Sequence, residues 1–228
     1  MKRLIMALFI IAIGAGVYAQ NSLFATKAGM TLTYANNDAK GNTGSYSVLT
    51  VKEVKGSGKN MTITYGITNL DKNRKPPKNS PGEMTYQVVI KDGVVIMDMN
   101  QLVPAEMKDQ GIKIDVKGTP MELPGSLQPG QALKPSEINI SMDLGIMKMD
   151  SKVKTEGKCL AIEDVKVPAG TFKCHKISQK VTTTAMNNNT VQTTISWYAP
   201  NVGTVKTETY DEKDKLISGS VLAEVKGN

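Results

Sequence analysis

The sequence predicts an all-β domain, in which a single antiparallel, strongly curved sheet of roughly ten to twelve strands forms a barrel, a half-barrel or a sandwich. Runs of alternating apolar and polar residues follow one another from Met30 onward, and clusters of turn-forming residues separate them. Almost no stretch has helical periodicity. Because no amphipathic helix can cover the apolar face of the sheet, the sheet must close on itself or bury that face against a ligand or a partner.

The first 19 residues have the pattern of a signal peptide. Two basic residues follow Met1, an apolar run extends from Leu4 to Val17, and small residues precede a cleavage point after Ala19. The run is shorter than the roughly 20 residues of a comfortable membrane span. Cleavage would leave residues 20–228 as one all-β domain. We therefore expect a periplasmic or secreted protein that does not span a membrane once the signal is removed.

The charge of the chain is positive, but its basic residues are of the wrong kind for nucleic-acid recognition. The net charge is +7, and Arg74 is the only arginine outside the signal segment. Arginine provides the bidentate contacts to phosphates and bases, and aromatic side chains provide stacking platforms. With 3 Phe, 7 Tyr and 1 Trp in 228 residues, both are scarce. We expect no nucleic-acid partner.

Several stretches alternate clearly enough to predict strands. The apolar members on one face of each are Met61, Ile63, Tyr65 and Ile67; Ile138, Ile140, Met142 and Leu144; Val191, Thr193, Ile195 and Trp197; and Ile217, Val221 and Val225. One short helix is predicted from Pro104 to Lys108, since proline suits a first helical position.

The stretch from Val165 to Ile177 predicts a hairpin with Pro168-Ala169-Gly170 as a three-residue loop. In that register Cys174 faces Asp164 and Cys159 faces Gln179. The cysteines are then offset by about 17 Å along the strands, whereas a disulfide requires Cα atoms within about 7 Å.

An even pair of cysteines in an exported chain nevertheless favours a disulfide between Cys159 and Cys174. Such a bond would require the segment from residue 160 to residue 167 to leave the ladder. The compartment therefore favours a disulfide, whereas the strand register favours two free thiols, and both alternatives stay open.

The segment from Thr119 to Ser136 contains several prolines and has neither a strand nor a helix pattern. Its apolar residues are Met121, Leu123, Leu127 and Leu133. Irregular connections of this length often serve as lids or binding loops. We expect the segment to cover an opening of the β core, where it would also act as the lid of any interior cavity.

Methionines are frequent, and two pairs fall on one strand face each: Met97 with Met99, and Met147 with Met149. Such side chains fill gaps in a core, form an adaptable lining for an apolar ligand, or bind Cu(I). The first two interpretations are favoured. Together with the apolar residues of the 119–136 segment, these methionines are the candidate cavity residues.

The sequence predicts no catalytic, cofactor or metal site. His175 is the only histidine, and its neighbour Cys174 points to the opposite face of a strand. A zinc site needs more ligands around it, and no Gly-x-Ser-x-Gly elbow supplies a nucleophile for a His-based triad. Adjacent carboxylates such as Glu163 and Asp164 diverge on a strand. We expect the protein not to be an enzyme.

The chain resembles the TapB-like family of exported Bacteroidota proteins. The resemblance rests on Val167–Ile177, on the Trp-Tyr-Ala-Pro-Asn-Val-Gly run that ends at Gly203, on the closing strand from Ser218, on Lys27–Tyr34, and on the loop with Leu127, Gly130 and Leu133. It implies a strongly curved antiparallel β domain outside the cytoplasm and supplies no catalytic residues. Lipoprotein-carrier half-barrels are distantly similar, but they line their concave face with helices that this chain lacks.

Two functional hypotheses follow. The first is a non-enzymatic interaction or structural module of the cell envelope, whose partner is an unidentified envelope protein. The alternative is a carrier that holds a hydrophobic small molecule or lipid inside the β core.

Overall fold

The computed structural model describes residues 22–78, 80, 82–97, 113–143, 148–185 and 188–227. Within these ranges the regular structure is entirely β, which confirms the predicted fold class. Thirteen strands occur in the described chain: β1 (Thr31–Asp38), β2 (Thr43–Ser57), β3 (Asn60–Asp71), β4 (Glu83–Lys91), β5 (Val94–Met97), β6 (Lys113–Thr119), β7 (Met121–Pro124), β8 (Ser136–Asp143), β9 (Lys148–Val167), β10 (Gly170–Ala185), β11 (Asn188–Ala199), β12 (Gly203–Tyr210) and β13 (Leu216–Lys226).

All thirteen strands belong to one antiparallel sheet that is nearly closed into a barrel. Their order is β6-β8-β9-β10-β11-β12-β13-β1-β2-β3-β4-β5-β7. The two edge strands, β6 and β7, are consecutive in the chain and are joined through Pro120 alone. Near this point Ser136 Oγ donates a hydrogen bond of 2.8 Å to the Thr119 carbonyl. The chain therefore brings the two sheet edges together at Pro120.

The core lies inside this curved sheet and at one of its ends. The segment that precedes β1 crosses this end and buries Leu23, Ala25 and Met30. Several hydrogen bonds hold the segment: Tyr65 Oη donates to the Ala25 carbonyl at 2.6 Å, and the Asn201 amide donates to the Ser22 carbonyl at 2.6 Å.

The 119–136 segment is docked, as predicted, but it is not irregular throughout. Met121–Pro124 forms β7 against β5, and the amide of Leu133 donates to the Gly157 carbonyl of β9 at 2.8 Å. Leu123, Leu127 and Leu133 are buried. The prediction of no strand here is wrong, because a four-residue strand that follows Pro120 and ends at Pro124 is too short to show alternation. The docked part, Gly125 to Lys134, is called the plug below.

The hairpin of β9 and β10 is confirmed, but its loop is one residue shorter than expected. Val167 pairs with Gly170 across a two-residue turn, so Cys174 faces Glu163 and not Asp164. A bulge at Lys176/Ile177 then places Cys159 opposite Ile177 instead of Gln179. The extra residue in β9 shows that the ideal register used in the prediction does not hold.

The alternation in β11 identifies the strand, and buried residues occur on both of its faces. Thr194 and Ser196 lie on the inner face, whereas Trp197 lies on the outer face, opposite Lys176 of β10 and Lys206 of β12. Trp197 is still only 5% exposed. It belongs to the buried hydrophobic cluster, against which Ile195 packs, and Lys176 Nζ and Lys206 Nζ lie over its ring.

Two further predictions concern helices. The short helix predicted from Pro104 to Lys108 lies outside the described residues. Within the described ranges, no helix is long and apolar enough to cross a membrane.

Candidate functional site

A cavity of about 270 Å³ lies between β5 and β7 on one side and β8 to β11 on the other. Its walls are mostly apolar and belong to six strands. The lining residues are Met97, Met121, Ser136, Ile138, Ile140, Val153, Thr155, Gln179, Val181 and Thr194. Binding pockets for small molecules are typically apolar, with a few polar groups, and begin at about 300 Å³. At about 270 Å³ the cavity is slightly smaller than this range, which restricts it to a small ligand.

Strand register determines the arrangement of the lining. Gln179 lies opposite Thr194, and one step further along the strands Ser136 lies opposite Thr155. The next step pairs Ile138 with Val153. Because alternate residues of a strand share a face, these pairs form successive levels of one inner wall. The polar pairs lie at the plug side, which we call the floor of the cavity, and the apolar levels lie above them.

Gly157 of β9 makes room for the floor. A Cβ atom at this position would lie 3.0 Å from Gln179 Cγ and 3.1 Å from Leu133 Cδ1 of the plug. The Gln179 side chain can therefore cross β9 and occupy the space above Leu133. The absence of a side chain at Gly157 allows a buried amide to lie where the plug meets the cavity.

Two of the predicted cavity residues line the cavity. Met97 and Met121 are a directly opposed pair of β5 and β7, and both contribute to the wall. Leu123, Leu127 and Leu133 are instead core residues. Met149 borders a separate groove of about 560 Å³ at the far end of β8 and β9. Met99 and Met147 lie outside the described residues.

Sequence reasoning missed most of the wall. Ile138 and Ile140 were recognised as one strand face, but nothing in the sequence linked them to Met97, which precedes them by some forty positions. The polar members Gln179, Thr155 and Thr194 gave no signal, because a polar residue on an alternating strand is normally assigned to the solvent side.

A second cluster surrounds Trp197 on the outer face. Its indole Nε1 donates to Glu163 Oε1 at 2.7 Å, and Lys176 Nζ and Lys206 Nζ lie 5.1 Å and 4.7 Å from the ring centroid. The indole hydrogen bond, with help from Lys176, lowers the pKa of Glu163. Lys206 also pairs with Glu208 at 2.7 Å. The charges are mutually compensated, so this cluster stabilises the outer surface.

His175 does not form a triad. It borders an opening of about 370 Å³ together with Asp92 and Ser126. Its pKa is lowered by burial, although a hydrogen bond with the Leu127 backbone opposes this shift. Nδ1 is buried without a partner in the described chain, and no hydrogen bond there joins the three side chains. Among the described residues, no group of three or more His, Cys, Asp or Glu side chains could hold a metal ion.

The two cysteines are free and fully buried, so the disulfide considered from the sequence is absent from the structure. Cys159 lies opposite Ile177, three positions from Cys174, so the thiols are offset along the ladder and point to opposite faces. Cys174 Sγ donates to the Phe172 carbonyl at 3.4 Å. Burial, with the nearby carboxylates Asp164 and Glu163, raises the pKa of Cys174 to about 12.

We therefore expect two free thiols that are inert in the folded state. The denatured, unreduced protein should titrate two thiols, while the native protein should label far more slowly, because a buried thiol with a raised pKa forms little thiolate. A Leu160→Cys variant, at a position of β9 that is 37% exposed, should label rapidly and serves as the control. Absence of free thiols after denaturation would show that the cysteines are paired.

Two crystal structures are similar to the chain over nearly all of its length. One is a protein from Bacteroides fragilis whose export is inferred and whose fold is YmcC-like, with a TM-score of 0.68, 21% identity, and coverage of 91% of this chain and 100% of that chain. The other is from Parabacteroides distasonis and is inferred to be a lipoprotein, with a TM-score of 0.68, 21% identity, and coverage of 90% and 99%. At this identity, the likeness shows the fold.

The comparison with curated proteins gave no match. A family model described as DUF3108-like matches residues 27–222, which is most of the chain. The chain belongs to this DUF3108-like family.

Proposed function

We propose that this DUF3108-like protein binds a small hydrophobic molecule in the cavity between β7 and β8, outside the cytoplasm. The observation that carries the proposal is the apolar cavity of about 270 Å³ inside a nearly closed sheet. The cavity is half open, and its mostly apolar wall lacks the dispersion contacts that packed side chains make elsewhere in a folded domain. A ligand of matching size would restore those contacts.

The lining suits an apolar ligand. Met97 and Met121 supply flexible thioether side chains that can adapt to an alkyl chain. Ile138, Val153 and Val181 supply the rigid part of the wall. No helix is required to form this surface, since the strand side chains provide it directly. The carrier hypothesis thereby gains over the interaction module, for which the described residues offer no comparable feature.

The proposed location outside the cytoplasm rests on two supports. Residues 1–19 have the pattern of a signal peptide. The two structural relatives are inferred to be an exported protein and a lipoprotein. A protein that exchanges apolar molecules in the cell envelope would need such a location.

The first test is direct. Protein purified from the periplasm or the culture medium should yield a stoichiometric lipid-like molecule on solvent extraction and mass spectrometry, or should bind an environment-sensitive naphthalene dye at one site per chain. Val153→Trp places an indole in the cavity and should weaken dye binding at least about tenfold, whereas Leu160→Trp, exposed on the same strand, should bind as wild type.

Thermal melting of both variants shows whether they are folded. An empty extract, together with equal dye binding by the wild type and a folded Val153→Trp variant, would contradict the carrier function. A stable protein partner recovered in its place would favour the interaction or structural module. Recovery of the protein from the cytoplasm alone would contradict the proposed location.

A further inference from the structure

The polar side chains in the cavity are gathered at its floor, while the levels above are apolar. Gln179 and Thr194 form the lowest level, and Ser136 and Thr155 form the next. Ile138 and the residues beyond it line the upper wall. Ser136 Oγ already donates to the Thr119 carbonyl, but a purely hydrocarbon ligand would offer no partner to the buried carboxamide of Gln179, which is unfavourable. The lining is instead complementary to a molecule with one polar end and one apolar end.

Gln179 is the central group of the floor. It is only 8% exposed, yet within the described chain its Oε1 accepts no hydrogen bond, and its Nε2 donates only to the sulfur of Met121. A thioether is a weak acceptor. Because Gln179 also lines the cavity, its carboxamide oxygen is an acceptor that a ligand can reach. The matching ligand group is therefore a hydrogen-bond donor.

The charge of the lining restricts the ligand further. None of the described residues that line the cavity is ionisable. The nearest charges of β8 and β9 lie on the outer face, where Glu137 pairs with Lys152 and Lys154. An ionised carboxylate at the floor would lose its hydration without gaining a cation, and this is strongly unfavourable. An uncharged polar group loses much less hydration free energy when it enters the same site.

Resting on the proposed function, we infer that the ligand is an uncharged single-chain amphiphile, bound with its hydroxyl or amide end on the floor against Gln179 and its alkyl chain along the upper wall. Thr155 and Thr194 provide additional hydroxyl groups at the same end of the cavity. Their neutral side chains can donate or accept, so they fit either head group. The site should select neutral head groups over carboxylates of equal chain length.

Four ten-carbon ligands test this selectivity at neutral pH by displacement of the naphthalene dye from the full protein. Decanamide and decanoate are nearly isosteric and differ in charge, decan-1-ol presents a hydroxyl, and decane has no head group. Decan-1-ol and decanamide should bind at least about tenfold more tightly than decanoate, because the carboxylate is not compensated at the floor.

Gln179→Leu removes the acceptor. It should weaken the binding of decan-1-ol and of decanamide about tenfold, which corresponds to the loss of one net hydrogen bond. The affinity for decane should be unchanged. Thermal melting shows whether the variant is folded, and the wild-type ligand series gives a result even if it is not.

The outcomes separate the two proposals. If decanoate binds as tightly as decanamide, or if folded Gln179→Leu keeps the wild-type preference, the inference about the head group is wrong while the binding function stands. If decane binds as well as decan-1-ol, the floor does not contribute. If none of the four displaces the dye, both the proposed function and this inference are overturned.

Discussion

Leu127→Ser is expected to lower the free energy of unfolding by about 3–8 kcal/mol, measured by urea denaturation. Leu127 belongs to the plug and is completely buried among the core residues. Truncation of a buried leucine costs about 2–5 kcal/mol through lost transfer free energy and residual cavity, and a buried hydroxyl without a partner adds about 1–3 kcal/mol. A loss of this size is a large part of the stability of an ordinary domain.

The matched control is Leu160→Ser on β9. Leu160 is 37% exposed, so the same chemical change should cost less than about 1 kcal/mol. Similar losses in both variants would show that the plug is not part of the core.

The same variant distinguishes a structural plug from a gate. Leu127 is absent from the cavity wall, so dye affinity of the folded Leu127→Ser protein should equal that of the wild type. Weakened dye binding with unchanged stability would mean that the segment controls access to the cavity. The sequence presented both roles together, and the structure separates them, because the plug contacts the floor through Leu133 while Leu127 packs in the core.

The fold class was predictable because it depends on two features of the sequence: the two-residue alternation of apolar and polar side chains, and the scarcity of helical patterns. Alternation in Met61–Ile67 places Ile63 and Tyr65 in the core as predicted, since β3 has one buried face and one polar face. The scarcity of amphipathic helix patterns predicted that the sheet curves back on itself, and the sheet is nearly closed into a barrel. Neither argument needs the register of any strand pair.

Register was not predictable, and the details of the site depend on it. One residue fewer in the turn before Gly170 and one extra residue in β9 changed the partners of Cys159 and Cys174. A slip of one residue moves side chains to the opposite face. The approach of the two sheet edges at Pro120 was equally unpredictable, because the strands it joins are neighbours in sequence but lie at opposite edges of the sheet. Local patterns contain no information about such long-range pairing.

The inner face also departs from the usual rule that apolar residues point inward. On β11 one face carries Thr194 and Ser196, while Trp197 on the opposite face belongs to the buried hydrophobic cluster and has Lys176 and Lys206 over its ring. The sequence pattern assigns the tryptophan to the apolar face but gives no sign that the face with Thr194 and Ser196 is partly buried as well. Thr194 lines the cavity, and Ser196 is hydrogen-bonded to Tyr198, so polar residues occur here where they face a cavity or another polar group.

Gly118→Ala should both destabilise the sheet and weaken ligand binding. Gly118 lies in edge strand β6 at φ +129°, a conformation that residues with a side chain rarely adopt. A Cβ atom there would overlap the Glu137 carbonyl oxygen of β8 and lie 3.0 Å from Ile138 Cα. Backbone strain of about 1–3 kcal/mol and overpacking of about 1–3 kcal/mol together predict a loss of roughly 2–6 kcal/mol in urea denaturation.

Gly41→Ala is the matched control for the backbone term. Gly41 also has positive φ, at +84°, but no described atom lies within 4 Å of its added Cβ. Gly41→Ala should lower the stability only by the backbone strain and should leave dye binding unchanged.

Gly118→Ala should also weaken dye binding. Ile138 of β8 is the direct partner of Gly118 and lines the cavity, so a displacement of β8 alters the cavity wall. Equal losses of stability in the two variants would show that the strands can separate without cost. Wild-type dye affinity in folded Gly118→Ala would show that the position of Ile138 does not determine the site.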